Sequence, residues 1–101
     1  WKTVFLNHRL AELLPDIYEH LFDAARQADG GHLLDPARDQ LSLRVAEYST
    51  VSPGGGLRAK YHHDHGSLLT LDVMLSSSAD FEGGIFQTVG EDDTNLHHAF
   101  E

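Results

Sequence analysis

Four side chains able to hold a metal stand in a row at His62, His63, Asp64 and His65, between Tyr61 and Gly66. Imidazole nitrogen and carboxylate oxygen are donors that iron(II) accepts, and two histidines with one carboxylate make the facial ligand set of non-haem iron centres. On an extended segment side chains alternate between faces, so His62 and Asp64 share one face and His63 and His65 the other. His62 and Asp64 are therefore expected to be two of three metal ligands. The same alternation argues against one zinc tetrahedron built from all four, because neighbouring side chains diverge. A lone His-x-Asp is a weak signal, and a solvated polar turn is the competing reading.

The surrounding pattern says what must hold this pair. Leu57 to Asp64 reads as the strand that carries it. Leu69, Leu71, Val73 and Leu75 alternate and form the apolar face of the next strand; Asp72 in its middle is left undecided between pocket and open edge. The Gly83-Gly84 turn precedes a further strand, Ile85 to Val89. Upstream, Leu41, Leu43 and Val45 alternate with Ser42, Arg44 and Ala46 in a half-buried strand reaching Tyr48. Ser52-Pro53-Gly54-Gly55-Gly56 is a turn; it lacks the spacing and the Lys-Ser/Thr ending of a phosphate-binding loop.

Before these strands the chain is helical. Leu14, Ile17, Tyr18, Leu21, Phe22, Ala25 and Ala28 recur at three- and four-residue steps, an amphipathic helix from Pro15 to Ala28. Pro15 suits its first turn, Asp16 and Glu19 its positive end, and Gly30-Gly31 its stop. Leu10, Leu13 and Leu14 mark a short helical turn ahead of it, and Trp1 to Leu6 a strand or extended arm. The helix is expected to pack against a sheet. The whole reads as α+β, mainly β: a jelly roll or barrel with the helix outside. Residues 1–40 form a helical support, 41–89 the β core and 90–101 an acidic loop or tail.

At 101 residues the chain is at most one small domain. With 41% hydrophobic and 23% charged residues, the composition is that of an ordinary folded protein, and disorder throughout is not expected. The absence of cysteine excludes disulfides, thiolate metal sites and a cysteine nucleophile. No apolar run approaches the roughly 18 residues that would span a bilayer. The net charge of −9 is uneven: residues 1–60 carry seven basic and eight acidic groups, residues 61–101 eight acidic groups and no lysine or arginine. That half is unsuited to a nucleic-acid backbone and suited to a cation, whether a metal or a basic partner surface.

The pattern Tyr48…Gly56…His62-x-Asp64…Ser67…Thr70…Leu75…Asp80-Phe81-Glu82-Gly83-Gly84 resembles the 2-oxoglutarate- and iron(II)-dependent dioxygenases of the prolyl 4-hydroxylase and lysyl hydroxylase type, over roughly residues 41–89. The resemblance implies a double-stranded β-helix with His62 and Asp64 as the first two iron ligands. It also implies that Tyr48 hydrogen-bonds 2-oxoglutarate and that Thr70 lies on the strand lining the co-substrate pocket. The implied cofactors are iron(II), 2-oxoglutarate as co-substrate, and ascorbate; the implied substrate is a prolyl or lysyl side chain of a peptide. A cupin would use His63-x-His65, but no glutamate follows at the right spacing, so these two are expected to be exposed or to support the ligands.

One part of the pattern is missing. The family's second histidine follows the aspartate by roughly 40 to 70 residues, and a basic residue about ten further on pairs with the distal carboxylate of 2-oxoglutarate. His97 and His98 come too early and read as a loop, and nothing basic follows Lys60. The expectation is a domain completed by further chain or by a partner subunit, in the cytoplasm or an endomembrane lumen. The alternative is a catalytically inactive accessory or scaffolding subunit in a larger assembly.

Overall fold

The computed structural model describes residues 1–99. Phe100 and Glu101, the end of the expected acidic tail, lie outside them. The elements are β1 (Lys2–Phe5), α1 (Arg9–Leu13), α2 (Pro15–Asp29), β2 (Glu47–Thr50), a single 3-10 turn (Ser78–Asp80), β3 (Phe86–Val89) and β4 (Asn95–His98). β1 and β2 pair antiparallel, Lys2 opposite Thr50 and Phe5 opposite Glu47; β3 and β4 pair antiparallel, Phe86 opposite His98 and Val89 opposite Asn95. The fold is mixed α+β.

α2 forms where the periodicity placed it. Pro15 occupies the first turn, where its missing N–H costs nothing, and Asp16 faces the positive end. Gly30 closes the helix in the left-handed conformation, φ 57°, its N–H donating to the Arg26 carbonyl at 3.1 Å. Buried Asp29 then accepts from the backbone N–H groups of Leu33 (2.9 Å) and Leu34 (3.1 Å) and folds the following loop back on the helix end. α1 is the short turn expected around Leu10 to Leu14, and it packs on α2. α2 does not come into close backbone contact with either ladder, so the expected packing of the helix on a sheet is replaced by helix on helix.

The strands differ more from expectation. The run Leu41 to Tyr48 enters a ladder only at Glu47, because β1 ends at Phe5 and the chain turns just after it: the N–H groups of Leu6 and Asn7 both donate to the Ala46 carbonyl, at 2.8 and 3.3 Å. Asn7 has φ 47°, and its side chain accepts from the Ala46 N–H at 3.2 Å. Leu57 to Asp64 is irregular around one turn at Lys60–Tyr61 instead of a strand, since Tyr61 adopts φ 65°, a left-handed value that breaks extension. Leu68 to Ser76 is largely irregular and joins no ladder among the described residues. Residues 90–99, expected as a loop, instead supply β4 of a hairpin. Its Gly90 N–H donates to the Thr94 carbonyl at 2.8 Å, and Asp93 takes a left-handed φ of 65°. A three-residue loop with that last conformation is a standard hairpin connection, and aspartate tolerates it.

Candidate metal centre

Two tight turns frame the His-x-Asp pair. The His62 N–H donates to the Ala59 carbonyl at 3.1 Å, and the Ser67 N–H to the Asp64 carbonyl at 3.1 Å, the second turn passing through Gly66 at φ 83°. Although the pair is not on a strand, its tips converge: His62 Nε2 lies 3.3 Å from Asp64 Oδ1. The other carboxylate oxygen, Oδ2, accepts the Thr70 hydroxyl at 2.9 Å. A hydroxyl holding the far oxygen of a carboxylate is the usual support for a ligand, because it fixes which oxygen faces the ion.

The separation can be tested against a metal. Two donors each about 2.1 Å from one ion stand about 3.0 Å apart at a right angle and about 3.4 Å apart at the tetrahedral angle. The observed 3.3 Å fits two neighbouring ligands of a single ion and does not choose between the geometries. Among the described residues no group of three histidine, cysteine, aspartate or glutamate side chains could hold a metal. The pair by itself offers two donor atoms. Both side chains are about half exposed, 51% and 42%, so further ligands have open access.

The pair opens on a cleft of about 350 Å³ lined by Trp1, Glu47, Gly56, Leu57, His62 and Asp64. Glu47 is the residue that sequence reasoning passed over. It neighbours Tyr48 on β2, and the alternation of a strand sends the two to opposite faces. The face of Glu47 also carries Thr3, whose hydroxyl is 3.2 Å from Ser49 Oγ and accepts the Trp1 indole N–H at 2.8 Å. Tyr48 is half exposed on the other face, away from the cleft lining. Thr70 and Asp64 are brought together; Tyr48 is not brought to them.

Four other histidines, His63, His65, His97 and His98, have contacts of their own. The rings of His63 and His65 touch at 3.9 Å between centroids with their planes tilted by 59°, and His63 Nδ1 is 3.1 Å from the Tyr61 carbonyl, to which it donates as the Nδ1–H tautomer. On β4, His97 Nε2 lies 2.8 Å from the Gln87 side-chain nitrogen and His98 Nε2 2.7 Å from the Thr88 hydroxyl. A second hollow, about 400 Å³, follows the loop from Gly31 to Asp39; its Asp35 and Asp39 carboxylates are taken by backbone N–H groups and by Arg38. No family model, no curated protein and no solved structure matches the chain.

Proposed function

We propose that the chain carries the first part of an iron(II)- and 2-oxoglutarate-dependent dioxygenase domain, a double-stranded β-helix that hydroxylates a prolyl or lysyl side chain of a peptide. The observation that carries this reading is the convergence of His62 Nε2 and Asp64 Oδ1 at 3.3 Å, with Thr70 holding the second carboxylate oxygen. The motif sequence from Tyr48 to Gly84 supports it. When bound, iron(II) supplies oxygen activation coupled to decarboxylation of 2-oxoglutarate, chemistry that side chains alone lack. His62 offers a neutral imidazole, Asp64 a charge that lowers the cost of a dication, and Thr70 fixes the carboxylate plane. The third ligand and the cation that pairs with the distal carboxylate of 2-oxoglutarate come from outside the described residues.

Anaerobic titration of the full chain with iron(II) tests the reading. His62→Ala and Asp64→Ala are expected to abolish binding, and Thr70→Val to weaken it about tenfold, the usual cost of removing a ligand's support. Unchanged affinity in both alanine variants would remove the ligand assignment. Turnover of 2-oxoglutarate by the same proteins then measures activity.

A second reading is favoured by a different observation. The chain exposes 8727 Å², against about 5,700 Å² for a compact monomer of its mass. A surface so open suits an accessory or scaffolding subunit covered in an assembly. Metal binding without 2-oxoglutarate turnover in the complete assembly is its expected signature.

A further inference from the structure

Tyr61, directly before the metal-binding pair, is the third residue of the Ala59–His62 turn and has φ 65°. Glycine or asparagine ordinarily takes that position, because a β-carbon crowds the backbone there. A bulky residue keeps such a conformation only where its surroundings impose it. Here the imposing group is visible. The Tyr61 hydroxyl donates to the carboxylate of Asp93, and the Lys60 ammonium lies 3.3 Å from the same carboxylate and 5.1 Å from the Tyr61 ring centre. Asp93 sits in the β3–β4 loop, itself at φ 65°, more than thirty residues along the chain. The Tyr61 carbonyl, turned by the same torsions, meets His63 Nδ1.

We propose that Asp93 is a positioning residue for the metal centre: by clamping the Tyr61 hydroxyl and the Lys60 ammonium it holds the Ala59–His62 turn in the conformation that aims His62 at Asp64. This rests on the metal-binding reading above, and it assigns the hairpin a task that neither the motif nor its spacing indicates. The clamp acts through the backbone, since Asp93 itself does not belong to the ligand pair. It also gives the acidic hairpin loop a reason to lie against residues 60–61.

The test uses the full chain, with manganese(II) affinity read by electron paramagnetic resonance and His62-ring to Asp64 nuclear Overhauser contacts read without metal. Asp93→Gly keeps the left-handed loop position and removes the clamp; Tyr61→Phe removes only the hydroxyl. Each is expected to weaken manganese(II) binding about five- to tenfold, the worth of a charged hydrogen bond discounted for exposure, and to erase the His62–Asp64 contacts. The double variant is expected to be no worse than either single one, because both break one link. Asp93→Asn keeps an acceptor for the hydroxyl and is expected to stay within twofold of the parent. Unchanged affinity and contacts in Asp93→Gly and Tyr61→Phe would overturn the proposal. If His62→Ala leaves manganese(II) binding intact, the metal reading falls, and the metal-free contacts still decide whether the clamp exists.

Discussion

The Asp92 carboxyl is held below its ordinary value of 3.8, first by the Thr94 hydroxyl at 2.6 Å, then by the backbone N–H groups of Asp92 and Thr94; lost hydration acts the other way. A carboxyl whose value falls on folding stabilises the fold in its ionised form. That contribution is complete above the unfolded value and disappears as pH drops through the lower folded one. Thr94→Val is expected to move the Asp92 titration back up toward 3.8, read by carbon-13 NMR of the carboxyl, and to reduce the loss of hairpin amide protection on acidification. An unmoved titration would mean the hydroxyl is not the cause. At this scale the sequence was informative about types and not about partners. His62 and Asp64 could be picked from their spacing and Thr70 only from the resemblance, and the three side chains meet. Asp93 belongs to the stretch expected as an acidic loop or tail, and it accepts a hydrogen bond from the Tyr61 hydroxyl.

The elements divide by how local their causes are. α2 was legible from Pro15 to its glycine stop because its period, its first-turn proline and its terminator lie within one helix length. Gly30→Ala is expected to cost about 1 kcal/mol, the penalty of a β-carbon at left-handed torsions. The added atom would find nothing nearer than 3.9 Å, so no clash adds to it. Urea unfolding checks the figure, and exchange of the last α2 amides would report fraying. The strands were half legible. Alternation in Leu69, Leu71, Val73 and Leu75 states which side chains share a face, but a ladder also needs a partner backbone, and none of the described residues provides one. β4 was missed for the opposite reason. Asn95 to His98 has little strand character alone and pairs because the Glu91–Asp93 loop returns it beside β3.

Across the whole molecule the core is slight. Among the described residues Ala25 is the buried hydrophobic one, while Leu68, Leu75 and Ile85 are each more than 60% exposed. The radius of gyration, 15.3 Å, exceeds the roughly 13 Å of a compact domain of this length. Leu75→Ser is expected to change the chain's own stability by no more than about 0.5 kcal/mol, as for any solvated position. If a partner strand covers residues 68–75, the same variant weakens that association, which analytical ultracentrifugation of the assembled protein would measure. Loss of the chain's own cooperative unfolding in Leu75→Ser would show instead that this face is already buried.

Neighbours in sequence settled the helix, its two ends, the acidic second half and the identity of the His-x-Asp pair, because each depends on residues a few positions apart. Only the tertiary structure decided that two turns, not a strand, bring His62 and Asp64 together, that Glu47 and not Tyr48 faces their cleft, and that Asp93 reaches back to Tyr61. Those outcomes depend on loop closure and strand register between segments tens of residues apart, and alternation along one segment carries no information about which other segment will lie beside it.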